Sequence, residues 1–351
     1  MCNCAIVPNI KKFVFIILLL LAGNLSMVIA QDPHFSQFFD APLLRNPALA
    51  GIFDGDVRVQ GVYRNQWSTV TTPYVTGSLN AEYKQSFGKG NDFLTLGMEV
   101  LYDKAGTTNF NTTSLLPVIN FHKSLSDARN EYLSVGFMAG WVNKYIDRSK
   151  MTTNNQFDGL GYNPSLPDGE AFPTSAYNYW DGSVGVSFNS SINDKKEDNY
   201  FVGIAYHHLN RPQNSFYRDP SVELEPKWVI SGGLRVSIDE ASFLTLQGDI
   251  SKEGELKEEI VGAIFSHKLG TNFESPDYIF HFGGFLRWKD AFIPIVKIDY
   301  YPYSLGLSYD INISDLKTAS QSMGGFELSI AYIGFLDKDN SSKKAILCPR
   351  F

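Results

Sequence analysis

The chain has 351 residues, with 30 Lys and Arg against 37 Asp and Glu, a net charge of −7 and a mean hydropathy of −0.14. An acidic balance with no basic run argues against a nucleic-acid binder. Three cysteines, two of them (Cys2 and Cys4) ahead of the first apolar run, provide no disulfide framework.

Residues 1–30 read as a signal peptide. Lys11 and Lys12 form a positive n-region, FVFIILLLL (13–21) is an apolar run too short to span a bilayer, and Val28-Ile29-Ala30 predicts cleavage before Gln31. An uncleaved anchor helix is the alternative. Losing Lys11 and Lys12 takes the net charge from −7 to −9 and leaves Cys348 as the remaining cysteine. No later apolar stretch reaches the roughly 18 residues that a membrane helix needs. Three classes stay open: soluble periplasmic, secreted, or outer-membrane barrel.

The next stretch, QDPHFSQFFDAPLLRNPALAG (31–51), is rich in aromatics and carries Pro33, Pro42 and Pro47, yet keeps neither a helical nor a strand period. From residue 56 the period is two. In SLGLSYDINIS, Leu305, Leu307, Tyr309, Ile311 and Ile313 share one face, while Ser304, Gly306, Ser308, Asp310, Asn312 and Ser314 share the other. Alternate side chains of a strand point to opposite faces, so the segment separates an oily surface from a wet one. The same alternation marks YVTGSLNAEYK, FLTLQGDIS and GGFELSIAY.

About fourteen such runs are predicted, near the ~9–11 residues that cross a bilayer at a tilt. Their spans are 56–67, 73–85, 92–103, 108–123, 130–146, 178–190, 199–210, 226–238, 241–252, 256–269, 277–289, 292–300, 303–313 and 323–335. The expected fold is all-β: a transmembrane antiparallel β-barrel at 56–335, with periplasmic terminal segments at 31–55 and 336–351. The two longest connections, near 147–177 and 211–225, follow odd strands and so fall on one side, the outer side if the N-terminus is periplasmic. Trp67, Tyr102, Trp180, Trp228, Trp288 and Tyr300 near strand ends suit interfacial girdles. A soluble β-sandwich also alternates, but these strands are long for a soluble sheet.

Chemical motifs are scarce. His207 and His208 are adjacent and would point to opposite faces of a strand, so they would not share a metal. The carboxylates Glu253, Glu255, Glu258 and Glu259 suit a solvated outer turn better than a glycosidase pair. No HExxH, CxxC, phosphate loop or GxSxG is present. Neither an enzyme nor a cofactor or metal site is expected. The loop at 151–179 is long, polar and rich in Asn, Gly and Tyr, which suits adaptable contacts with a partner protein. The tail LDKDNSSKKAILCPRF ends in a compact apolar group, expected to pack on the periplasmic rim or on another protein.

The whole exported chain resembles the PorP/SprF family of the type IX secretion system, outer-membrane proteins of Bacteroidetes. The resemblance rests on Phe35-Ser36-Gln37, Asn46-Pro47-Ala48 and Ala50-Gly51 in the opening segment. It rests also on Arg64, Asn65 and Trp67 in YRNQW, on Tyr309, Asp310, Gly324 and Gly325 in the last hairpin, and on Cys348-Pro349-Arg350-Phe351. Leu49 departs from it, because the family often has Tyr there. The resemblance implies an outer-membrane barrel that works with periplasmic components of the secretion machine. It also implies an adhesin-type secreted cargo, in some members a gliding adhesin, that is exported or held at the surface. A general role in the machine is the alternative. A diffusion porin is another, with Lys84, Arg235, Asp249 and Arg287 setting the selectivity of an open lumen. In either setting, residues 31–51 are expected to fold into the lumen or against the rim, burying Phe35, Phe38, Phe39, Leu43 and Leu44, or else to dock periplasmic partners. The three prolines would limit the entropy lost in ordering so irregular a path.

Overall fold

A computed structural model describes residues 32–336, apart from 69–70, 89, 127–128, 172, 193–194 and 316. The expected signal peptide (1–30) and the motif Cys348–Phe351 lie outside the described residues. The chain separates into two units after Asp32, and the barrel belongs to the unit that begins at Pro33.

The strands are β1 (Val57–Gln66), β2 (Tyr74–Ser86), β3 (Phe93–Ala105), β4 (Phe110–Ser126), β5 (Glu131–Tyr145), β6 (Ala176–Ile192) and β7 (Lys195–His207). They continue as β8 (Lys227–Ser237), β9 (Ser242–Glu253), β10 (Leu256–Leu269), β11 (Tyr278–Arg287), β12 (Ala291–Tyr300), β13 (Tyr303–Asn312) and β14 (Met323–Gly334). Each pairs antiparallel with its sequence neighbours, and β1 pairs with β14 from Val57↔Gly334 to Gln66↔Gly325. The sheet is thus a closed barrel with no free edge, the arrangement that satisfies every strand where water is absent. The expected spans agree to within a few residues. The largest shift is in β7, which begins at Lys195 rather than 199, because Ile192 pairs with Lys195 across a register shift and prolongs the hairpin.

The two faces are the reverse of a soluble protein's. On β13, Gly306, Ser308, Asp310 and Asn312 point inward and are buried, whereas Leu305 (49% exposed) and Leu307 (56%) point outward. Leu79, Val202, Val261, Phe282, Val296 and Ile330 continue this apolar outer surface around the wall. A sandwich would have buried that face. Each such side chain removed from water contributes about 1.5–3 kcal/mol, so the outer face calls for hydrocarbon. Exposed aromatics sit near strand ends: Trp228 packs on Tyr206 at 4.5 Å and Tyr278 stacks on Tyr300 at 5.0 Å.

Antiparallel closure sorts the connections onto two ends. The long loops 146–175 and 208–226 share one end. The short turns 238–241 and 301–302 share the other with the start of β1 and the finish of β14. Inside runs the segment that starts at Pro33.

Candidate functional site: a filled lumen beneath a stitched rim

Proline placement explains the local shape of the inner segment. Pro42 opens a single α-turn (Pro42–Arg45) and Pro47 opens a 3-10 turn (Pro47–Leu49), each at a first helical position, where a missing N–H costs nothing. The residue before proline is pushed toward extended backbone, and Asn46 obeys with φ −162° and ψ 120°. Its side-chain oxygen then caps the next turn by accepting from Ala48 N at 2.8 Å.

The segment crosses the lumen lengthwise. At the long-loop end, the carbonyl of His34 accepts from Arg64 Nη1, and Glu327 accepts the backbone N–H groups of Ser36 (2.6 Å) and Gln37 (2.7 Å). Midway, Asp40 accepts from Gln60 Nε2, Lys297 Nζ and Ser329 Oγ, each at 2.8 Å. Asn120 Nδ2 donates to the carbonyls of Ala48 and Ala50, both at 2.8 Å. At the opposite end, Glu82 accepts from Gly51 N (2.7 Å) and Lys84 donates to Phe53 O (2.7 Å). From sequence, 31–55 is expected on the periplasmic side, folded into the lumen or against the rim. The described part runs through the barrel, with His34 at the long-loop end and Phe53 near the start of β1.

Apolar contacts hold the segment against the wall between the polar ones. Phe38 and Phe39 pack against Phe285 at 5.2 and 5.6 Å, with Ile260, Ile264, Ile293 and Ile295 around them. Leu43 packs on Leu116, Met138 and Val142. Phe35 packs on Val62 and Leu101, with Leu44 at the edge of the same cluster.

The densest chemistry is an ionic cluster from four strands. Arg64 Nη2 lies 2.9 Å from Asp310 Oδ2, and Arg64 Nε lies 3.3 Å from Glu327. Arg287 reaches the same Asp310 oxygen at 2.6 Å, Ser36 Oγ at 3.0 Å and Asp290 at 2.5 Å. Ser36 Oγ in turn donates to Asp310 Oδ1 at 2.6 Å. Charge-assisted bonds in such a water-poor site are short and strong, but each group needs its partners. A second clamp is bidentate: Arg45 donates to Asp249 at 2.7 and 2.5 Å and lies over the Phe38 ring at 4.6 Å.

Among the residues singled out from sequence, Phe35, Ser36, Gln37, Asn46, Pro47 and Gly51 are all buried in the lumen, and Arg64 and Asp310 meet them there. Gly51 has φ +82°, and a Cβ there would strike Thr95 Oγ1 and come 3.0 Å from His122 Nε2, so only glycine lets the chain pass the wall. Asn65 and Tyr309 belong to the opposite face and do not join the cluster. Trp67 follows β1 with φ +56°, its N–H on Gly324 O (2.9 Å) and its ring on Tyr74 (5.0 Å). A Cβ on Gly324 or Gly325 would meet the carbonyls of Asp310 (2.7 Å) or Asn65 (2.6 Å), so these two glycines set the spacing of neighbouring strands. Lys84, Arg235, Asp249 and Arg287 face inward, as their strand positions imply.

Two expectations are corrected. Glu253 is 2% exposed rather than solvated, because it shares the inward parity of Gln247 and Asp249 on β9. His207 and His208 are both buried rather than on opposite faces of a strand. β7 stops at His207 and His208 turns with φ +58°, bringing Nδ1 within 2.8 Å of Asp181. Glu327, Arg45, Glu82 and Asn120 were not singled out. For the three wall residues the signal is a charged or amide side chain on the wet face of a strand. Arg45 lies in a segment without a period and had none.

At the rim, loop 146–175 is tied to itself and to loop 208–226. Arg148 binds Asp168 at 3.0 Å and the Glu170 carbonyl at 2.9 Å, while Tyr217 donates to Glu170 at 2.5 Å. Asn214 accepts from Tyr177 (2.6 Å) and Lys144 (2.9 Å), and Phe216 sits edge-on to Tyr177 at 4.8 Å. Asp158 accepts from the N–H groups of Leu160 and Gly161, both at 3.0 Å, which shapes a tight turn between the bridged Phe157 and Tyr162. Leu160 stands at its tip, 98% exposed.

A closed antiparallel barrel with apolar side chains outward and an ionic interior is an outer-membrane β-barrel protein. The chain belongs to the family of type IX secretion system membrane proteins PorP/SprF, whose family model matches residues 28–332. No curated protein matches the sequence. Among solved structures, the chain is similar to a Pseudomonas aeruginosa FadL homologue, with 9% identity over 84% of this chain and 94% of that one, at a TM-score of 0.49. The toluene transporter TbuX of Ralstonia pickettii is similar at 9% identity, over 84% and 92% of the two chains, with a TM-score of 0.48. CdiB from Acinetobacter baumannii is similar at 7% identity, over 79% and 60%, with a TM-score of 0.42.

Proposed function

We propose that this protein is a non-enzymatic partner in type IX secretion that helps export or hold an adhesin-type secreted protein at its long-loop end. In this reading, loops 146–175 and 208–226 face outward and engage the cargo, while the opposite end meets periplasmic components of the machine. The observation that carries it is the filled lumen. A diffusion porin needs a continuous wet path, and here the inner segment occupies the barrel from Ser36, bonded to Glu327, to Phe53, bonded to Lys84. The stitched rim adds support, since a surface whose side chains are already fastened loses less entropy on binding.

The test is a clean deletion of the gene, with proteomics of surface and medium fractions. Loss of one or two cargo proteins from the surface is expected. Loss of every type IX cargo would make the protein a general part of the machine. Unchanged cargo with altered solute uptake would overturn the proposal in favour of a porin.

A further inference from the structure

Between the inner segment and the wall formed by β8 to β14 and β1, at the end where β1 starts, lies a cavity of about 570 Å³. That size is in the range of small-molecule sites. Its walls are mostly apolar, with Phe39, Phe53, Phe243, Ile264, Ile279 and Ile333 contributing side chains. Most charged groups in the lining are engaged with one another or with the wall, whereas Glu274 is exposed at the edge. Lys297 is held by Asp40 at 2.8 Å, His281 by Asp299 at 3.1 Å, Arg58 by Glu82 at 2.6 Å, and the Arg235 guanidinium covers the Phe243 ring at 3.8 Å.

One neutral group differs. Gln60 lines the cavity, is 5% exposed, and its Oε1 has no hydrogen-bond partner. Its amide cannot simply be turned round. Asp40 only accepts, so the Gln60 nitrogen must face it, as the 2.8 Å bond records, and the oxygen is left over. A buried acceptor without a donor is costly.

From this geometry we infer that the cavity is a binding site for an uncharged small hydrophobe carrying a hydroxyl or amide donor. The apolar walls take the hydrocarbon body, and the donor meets Gln60 Oε1. A charged ligand is disfavoured, because it would have to compete with the ion pairs that already hold Lys297, His281 and Arg58. The site lies toward the other end of the barrel from the Arg64–Asp310 cluster, and it does not depend on the secretion role proposed above.

The test uses the full chain in lipid nanodiscs, with 1-naphthol as fluorescent probe and naphthalene and 1-naphthoate as comparators. Saturable binding of 1-naphthol at one equivalent is expected, tighter than either comparator. Gln60→Leu should weaken 1-naphthol by about three- to tenfold, the value of one neutral hydrogen bond, while leaving naphthalene unchanged. Ala331→Phe, which fills the cavity from β14, should abolish both. Heat-dependent gel migration shows whether each variant folds. If Ala331→Phe does not fold, the Gln60→Leu comparison decides by itself. A signal that only tracks lipid content, or tighter binding of 1-naphthoate than of 1-naphthol, would overturn the inference.

Discussion

Arg64 and Asp310 stand 246 positions apart in the sequence, and their side chains meet at 2.9 Å inside the barrel. They sit on β1 and β13, with β14 between them, so the pair exists only because the sheet closes β1 onto β14. Glu327 on that intervening strand completes the cluster and holds the backbone of Ser36 and Gln37. Barrel closure and the seating of the inner segment are therefore coupled through one set of buried charges.

Removing one partner should expose that coupling. Arg64→Met leaves Asp310 and Glu327 short of a cation in a water-poor site. Breaking a buried pair in this way costs about 3–5 kcal/mol. Urea unfolding of the reconstituted barrel should show a loss of that order. The double variant Arg64→Met with Asp310→Leu should recover part of it, and strictly additive losses would argue that the two residues do not interact.

The direction of the inner segment makes a topological prediction. His34 lies at the long-loop end and Asp54 beside the start of β1. With the long loops outward, a cysteine at His34 should react with an impermeant maleimide added to whole cells. One at Asp54 should react only after the outer membrane is permeabilised. The reverse pattern would invert the proposed orientation.

The lumen should open when the segment loses its seat. A side chain at Gly185 would overlap the Asn46 amide oxygen, which caps the turn at Pro47. Gly185→Val should leave the barrel folded, displace the segment and raise single-channel conductance in planar bilayers above that of the parent. The parent should conduct little. Equal conductance in both would mean that the segment does not close the lumen.

The rim should loosen in acid. The hydrogen bond from Arg148, and next that from the Glu170 backbone, hold the Asp168 carboxyl below its ordinary value. A group lowered in this way contributes above the ordinary Asp value of about 4 and loses its contribution as pH falls through the lowered value. A fluorophore at Leu160→Cys should therefore show lower anisotropy at pH 3 than at pH 7. With Asp168→Asn added, the anisotropy should be low at both. A response that ignored this second change would rule out the Arg148–Asp168 pair as the fastening.

Much of the wall was legible from sequence by itself. Alternation in SLGLSYDINIS assigns Leu305 and Leu307 to one surface and Ser308 and Asp310 to the other, because successive side chains of a strand have nowhere else to point. Repeated about fourteen times with short turns, that pattern implies a barrel and the grouping of long loops at one end. The path of residues 33–56 was not legible. Their composition announces burial, but without a period nothing local says which wall residues they touch. Only tertiary structure decided that Glu327 would bind the backbone of Ser36, 291 positions away, that Arg45 would clamp Asp249, and that Glu253 would be buried. These pairings follow from which inward positions face one another across a closed lumen. Local period fixes a side chain's face, whereas its partner depends on a curvature that the whole sheet sets together.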